Sequence, residues 1–525
     1  MKKYILNLNL LLFTILGFSQ EITTYNMANS GLSSDRVTDF LTINNNIWFG
    51  EAHGTSLFNG STFQNFDFIQ MGSNNAWLNV SGSVEDRNGN IWFASDYGIF
   101  RYDGTNWTHY GSSNESNLGY GSIFVDIIMD NNGILWILGG DVVDSYLYSL
   151  DTSNFTWNHY DKYSNPLFGQ AIWKLAIAAS NGNLIMASDD GFVEFDGTTF
   201  TSHQAESTFG FDMDPNGNYW SGDYSGSHGL YKYNTSFNEI SSYDTTNSLI
   251  PFDWIHTVKY CNVPGFEGPW FSGEQYYFND KGVGYYDEAR NFFVLFDETT
   301  GLNSNDIETI HFHDNKAWLG SNDVGAMSID LTSSPFLGVD NGVVSVQVLP
   351  QTSVTTPINI INKGGNTLNY QLDLSNSANW FSSTNTSGSI NGAGTTAHNF
   401  TFNATGLNIG DRVETTLRIT SNGGIGELTI MMEVVAALGV SKKEINSVEL
   451  IPNPANSNLT INSNQQISKI SIHNILGQKA LKFRPNTTTF SETLDVSNLP
   501  SGLYIVTVRQ VNGGVLNERL IINDN

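Results

Sequence analysis

The chain has 525 residues, 40% of them hydrophobic, with 23 Lys and Arg against 51 Asp and Glu for a formal charge of −28. That length exceeds one hydrophobic core and calls for several domains. The acidic balance opposes binding to phosphate backbones and anionic lipid, so no nucleic-acid partner is expected.

The N-terminus begins Met1-Lys2-Lys3, continues apolar from Tyr4 to Phe18 with breaks only at Asn7, Asn9 and Thr14, and exits through Ser19-Gln20-Glu21. A basic head, an apolar middle and a small polar exit describe a secretory signal peptide over residues 1–20. No cysteine follows it, which argues against a lipoprotein anchor, and no later run reaches the length of a membrane helix. A mature protein without a transmembrane segment is therefore expected outside the cytoplasm. The one cysteine, Cys261, permits no intramolecular disulfide, and its alternating surroundings suit a buried structural thiol.

From Ile47 to Gly320 one phrase recurs: an apolar pair, usually with Trp, running into small residues. It reads Ile47-Trp48-Phe49-Gly50, Ile91-Trp92-Phe93-Ala94, Leu135-Trp136-Ile137, Leu184-Ile185-Met186-Ala187, Tyr219-Trp220-Ser221-Gly222, Trp270-Phe271-Ser272-Gly273 and Trp318-Leu319-Gly320. With Ile185 standing in for Trp once, the spacings are 44, 44, 49, 35, 50 and 48. A period of that size, rich in aromatics and turn residues, predicts a β-propeller with one four-stranded blade per repeat. In the second repeat, Trp77 to Asp86 would be the inner strand, followed by the turn Asp86–Asn90, the Trp strand, Gly98–Tyr102, and an Asp103-Gly104 hairpin into Asn106–Tyr110. Six repeats end in such an outer strand; the seventh, after Ala326–Leu331, lacks one. Ile22-Thr23-Thr24-Tyr25 is predicted to supply it and close the ring.

These repeats resemble the two-component-regulator propeller repeats, the sensor portion of many hybrid kinases from Bacteroidetes. The resemblance covers roughly residues 21–332. No membrane span, kinase or DNA-binding segment is recognised after them, so the resemblance implies a fold and not signalling.

The Trp period stops at Pro335. Short strand patterns follow at Val343–Leu349, Thr355–Ile361, Thr367–Leu374, His398–Asn403, Val413–Thr420 and Glu427–Val435. They suggest an immunoglobulin-like sandwich over 335–438. Ile358–Asn362 with Gly364-Gly365, Asn379-Trp380-Phe381, Ser387-Gly388-Ser389, Phe402–Leu407 and Arg418–Asn422 resemble, in order, the BACON-type modules of Bacteroidetes surface proteins.

After the linker at Ser441-Lys442-Lys443, residues 439–525 form a compact all-β pattern punctuated by Gly477 and Gly502. The motifs Pro452-Asn453-Pro454, Asn474–Gln478, Leu499–Tyr504 and Leu520–Asn523 strongly resemble the C-terminal sorting domain of the type IX secretion system. Pro452, Asn453, Pro454, Gly477, Gln478, Gly502 and Tyr504 carry the resemblance. It implies export by that machinery, removal of the tail, and release or attachment at the cell surface. The whole chain is thus expected to be all-β: a seven-bladed β-propeller over 21–334, a sandwich, and a small C-terminal β-sandwich.

Candidate chemistry is sparse. His311 and His313 share one side of an inner strand and are weak metal candidates lacking a third ligand. The Asp-rich turns Asp86–Asn90, Asp130–Gly133 and Asp214–Asn218 resemble calcium loops superficially, but none has the later bidentate Glu of an EF-hand. They admit structural calcium without supporting it, and no cofactor is predicted. Aromatics present in every blade, such as Trp107 and Trp157, suit blade packing. Those present in one blade suit a ligand: Trp77, Trp173, Trp254 and Tyr276. There is no phosphate loop, no G-x-S-x-G and no readable catalytic triad, so no catalytic residue is assigned. The expectation is a secreted or surface-attached binding or adhesion protein with a glycan or protein ligand. The alternatives are a secreted propeller enzyme acting on polysaccharide and a purely structural surface component.

Overall fold

The computed structural model describes residues 22–523 apart from 112–114, 116–117, 119–122, 141–144, 169, 224–228, 275–279, 376–378, 437–447, 475–477, 486–488 and 512. The signal-peptide reading at 1–20 lies outside the described residues. Among those described, 43 strands stand against a single three-residue 3-10 helix, so the fold is all-β.

Among the described residues, four-stranded antiparallel meanders, here called blades, follow one another over 37–67, 80–110, 124–160, 172–204, 211–243, 254–296 and 307–330. The last has three strands of its own and takes its fourth from the N-terminus, with Ile22 opposite Ile329 and Tyr25 opposite Ala326. This is the closure the strand count predicts. Gly325 sits at φ 88°, and a Cβ there would lie 2.1 Å from the Tyr25 carbonyl oxygen, so only glycine lets the first strand approach.

The repeated Trp is what one blade presents to the next. Trp48 packs edge-on to Phe93 at 5.5 Å, Trp136 to Phe195 at 5.4 Å, Trp220 to Tyr286 at 6.0 Å and Trp270 to Phe312 at 5.6 Å. Trp318 closes the circle against Phe58 of the first blade at 5.8 Å. Each such pair contributes on the order of 1 kcal/mol beyond its buried area. Trp107 joins this packing, 5.3 Å from Phe66 of the preceding blade.

The Asp-rich turns hold these Trp strands. Asp86 accepts the backbone N–H of Asn88 and Asn90 at 2.8 and 2.9 Å and the Trp92 indole N–H at 2.8 Å. Asp130 repeats the pattern with Asn132, Ile134 and Trp136. In the fifth blade Asp214 keeps the two backbone bonds, but Lys232 Nζ, 3.4 Å away, takes the place of the indole. The carboxylates are thus engaged by protein donors, which accounts for the motif through turn chemistry.

Beyond the seventh blade two sheets face each other. One contains Leu337–Val339, Ser353–Asn362, Thr395–Asn403 and Phe381–Ser382. The other contains Val343–Val348, Leu368–Asp373, Ser387–Ile390, Arg412–Ser421 and Gly424–Val434, and it is continuous with the sixth blade through Val294 opposite Gly426 and Leu295 opposite Ile425. Phe336 is fully buried at this junction, within 5.2 Å of the Phe296 ring and 5.4 Å of Tyr285. Lys363 is buried beside it, with Nζ 3.0 Å from both the Tyr285 hydroxyl and Asp287 Oδ2.

The tail is one six-stranded sheet organised on the long strand Asn458–Asn474. That strand changes partners midway: Asn458–Asn462 pair with Thr489–Asp495, and Ile467–Asn474 pair with Gly502–Gln510. Leu459, Ile461, Ile470, Ile472, Val506 and Leu520 fill a core separate from that of the propeller.

Candidate functional site

The inner strands run side by side around the ring in one direction, and their side chains stitch them together. Ser81 Oγ donates to the Phe124 carbonyl at 2.6 Å, and Leu175 N–H to Asp126 Oδ2 at 2.7 Å. Tyr260 N–H donates to Asp212 Oδ2 at 2.9 Å, and Thr257 Oγ1 to the Glu308 carbonyl at 3.0 Å. Thr42 Oγ1 and His311 Nε2, 2.7 Å apart, join the first and seventh blades. This alignment gathers the N-terminal ends of the inner strands on one rim.

Six of the seven inner strands break register near that rim, between Val37 and Asp39, Val80 and Gly82, Phe124 and Asp126, Ile172 and Lys174, Ile255 and Thr257, and Ile307 and Thr309. A bulge re-aims the extra residue, here Thr38, Ser81, Val125, Trp173, His256 and Glu308. Trp173 packs against Phe209 in a tilted pair with centroids 4.5 Å apart and donates its indole N–H to Asp189 Oδ1 at 2.9 Å. Trp254 opens the sixth inner strand and is partly exposed. Trp77 lies before the second inner strand, which begins at Val80 and not at Trp77 as the alternation suggests. The reason is local. Asn75 Oδ1 accepts the Trp77 N–H at 3.0 Å, and Leu78 and Asn79 both donate to the Ala52 carbonyl, so the chain turns there instead of extending. The Trp77 side chain is 68% exposed, with the His53 ring edge-on at 4.9 Å. Trp77, Trp173 and Trp254 therefore come to one rim, from the second, fourth and sixth blades. Tyr276 lies outside the described residues.

Below the rim the channel is charged. Lys174 Nζ is 3.2 Å from Asp126, and Lys259 Nζ is 3.2 Å from Asp212; both lysines keep over 40% of their side chains open to solvent. Burial pushes Asp39 up to about 6 against the hydrogen bond from Ser83 and the charge of Lys174. The lower channel holds His311, whose burial takes it down to about 3 and keeps the imidazole neutral. His313 Nε2 is 3.2 Å from Asp314. Among the described residues no three His, Cys, Asp or Glu converge as a metal site. Cys261 is buried, and burial pushes its thiol up to about 12.

The sequence reading passed over Asp39, Asp126, Lys174, Asp212 and Lys259. Counting backward from each repeat to the inner strand could have found them: Asp212 and Lys259 stand opposite Trp220 and Trp270, and Asp39, Asp126 and Lys174 stand two residues before the partners of Trp48, Trp136 and Ile185. It also passed over a cleft of about 260 Å³ in the sandwich, walled by Tyr370, Ser383, Asn385, Ser389, Thr396 and His398.

In the tail the candidate motif residues have structural duties. Asn453, between Pro452 and Pro454, accepts the Ile521 N–H at 2.9 Å and donates to the Arg519 carbonyl at 2.6 Å, clamping its segment to the last strand. The Gln478 N–H donates to Asn474 Oδ1 at 3.0 Å. Gly502 opens the strand in which the Tyr504 hydroxyl donates to the Pro500 carbonyl at 2.8 Å. Gly477 lies outside the described residues.

The fold is that of an all-β, propeller-type protein carrying an appended β tail. Residues 449–523 match the family described as the secretion system C-terminal sorting domain. The tail is therefore a type IX sorting domain, and the protein is exported by that system to the cell surface or the medium and processed at its C-terminus. No curated protein matches the sequence. Among solved structures, the chain is similar to PorZ, a surface component of the type IX secretion system of Porphyromonas gingivalis, at 14% identity and a TM-score of 0.46, covering 95% of this chain and 61% of that one. It is also similar to the extracellular domain of a protein described as a hybrid two-component system of B. thetaiotaomicron, at 14% identity and a TM-score of 0.48, covering 95% and 66%. Virginiamycin B lyase of Staphylococcus aureus matches at 12% identity and a TM-score of 0.47 over 59% of this chain and 99% of its own. The chain thus spans just under two thirds of the first two proteins. No helix among the described residues is long and apolar enough to cross a membrane.

Proposed function

We propose that this is a type IX-exported surface protein that binds a glycan or protein ligand on the bulged rim of a seven-bladed propeller. In this reading residues 1–20 are a signal peptide, 21–334 the propeller, 335–438 an immunoglobulin-like support and 439–525 the sorting domain. The observation that carries it is the trio Trp77, Trp173 and Trp254 on one rim. Aromatic faces beside hydroxyl and carboxylate groups suit stacking on sugar rings or on an apolar side chain of a partner. The channel acids argue for binding over catalysis, because Asp126 and Asp212 are each held by a lysine and by a backbone N–H of the next blade.

The test is a screen of the exported protein against immobilised polysaccharides and surface proteins, repeated with Trp77→Ala and Trp173→Ala. Binding that each substitution weakens tenfold or more, at unchanged thermal stability, supports the rim. Binding indifferent to both substitutions sinks it.

A further inference from the structure

The sorting domain rests against the propeller, and charge is what meets there. Its strands and their connections bring four cations to one side, facing the fifth blade's outer strand Glu239–Tyr243 and its flanking connections. Lys469 and Arg509 are 4% and 7% exposed, and both reach Glu239: Lys469 Nζ on Oε2, Arg509 Nε 3.4 Å from Oε1. Lys482 Nζ meets Glu206 Oε1, and Arg484 lies 3.8 Å from Asp244 Oδ2 while bonding the Tyr231 hydroxyl. Burial alone would raise the Glu239 carboxyl, but the charges of Lys469 and Arg509 hold it down at about 2.

The match extends to the whole chain. Residues 448–525 carry six Lys and Arg against five Asp and Glu, whereas residues 1–447 carry 17 against 46. A near-neutral domain with four of its six Lys and Arg gathered on one side is tethered to a strongly acidic body. The apolar clusters do not merge: the tail's core contains residues of the tail alone, and the fifth blade's cluster contains none of them. Desolvated charge pairs without a shared apolar core fix register and partner choice more than they add affinity.

We propose that Glu206, Glu239 and Asp244 form a docking surface for a Lys/Arg-bearing β-sheet face, and that the sorting domain occupies it in cis until the tail is removed. While docked, the tail keeps Lys469 and Arg509 from other acceptors. Its removal uncovers an anionic surface along the outer edge of the fifth blade of the processed protein.

The test uses the full chain with a site-specific protease sequence placed within 437–447. After cleavage, retention of the tail on the propeller is followed by size-exclusion chromatography at about 50 mM and about 500 mM salt, where screening lengths differ about threefold. The tail should co-elute at low salt and separate at high salt. The double substitution Glu206→Gln and Glu239→Gln should release it at low salt with the propeller's thermal unfolding unchanged. The exchanged pair Glu239→Lys with Lys469→Glu should restore co-elution. Separation of the unsubstituted tail at low salt, retention indifferent to salt, or retention by the double Gln variant would each overturn the proposal.

Discussion

At the sixth blade the strand Phe292–Phe296 passes its backbone ladder on to the sandwich, and Phe336 is sealed among Trp270, Tyr285 and Phe296. At the fifth blade the strand Glu239–Tyr243 meets the tail through the ion pairs of Glu239, with Glu206 and Asp244 beside it. The same propeller thus has one junction of shared sheet and apolar core and another of paired charge. Apolar area and backbone bonds are nearly indifferent to salt, whereas salt screens the two charged faces whenever they part and so weakens the return of a cleaved tail. A permanent support and a removable tail call for this difference.

The largest effect should come from the sixth-blade junction. Phe336→Ala should cost about 4 kcal/mol of stability, and calorimetry should show propeller and sandwich falling together while the tail's transition stays put. Two separate transitions for propeller and sandwich would break the comparison.

Proton linkage sharpens it from the propeller's side. Glu51 is fully buried, and burial raises it from 4.5 to about 7, against the hydrogen bonds it accepts from Ser33, Ser56 and Ser34. A raised folded value means that the folded state holds the proton more tightly. Its contribution is therefore complete below about pH 4.5 and is lost as the pH rises through about 7, a swing of about 3 kcal/mol. Thermal melts of the wild type should weaken over that window, and Glu51→Gln should flatten the curve. An unchanged curve in the variant would place the titration elsewhere.

A smaller effect is expected within the tail. Asn453→Ala removes both clamps on the last strand and should lower the tail's own transition by about 1–2 kcal/mol, leaving the propeller's untouched. The smallest is Trp77→Ala. The residue is 68% exposed, so stability should stay within about 0.5 kcal/mol while ligand binding falls. A large stability loss would make Trp77 a packing residue after all.

Much of the architecture is legible before folding is considered. The Trp spacing marks the blades because each Trp must reach its neighbour, and the missing seventh outer strand identifies Ile22–Tyr25 because an open ring would leave an unpaired edge. The middle strand patterns fall within a few residues of the observed strands, since burial alternates along them. The candidate site is less legible. Trp77 alternates with its neighbours as if in a strand, yet Asn75 and the Ala52 carbonyl hold it in a turn.

The sequence by itself determined the repeat, the closing strand and the export tail, because periodic burial, strand count and short motifs act along the chain. Only the tertiary structure decided that Trp77, Trp173 and Trp254 share a rim, that Lys363 is sealed beneath the sandwich, and that Lys469 and Arg509 meet Glu239. Bulges, buried charges and docked faces depend on which distant residues come into contact, and that information is spread across blades tens to hundreds of residues apart.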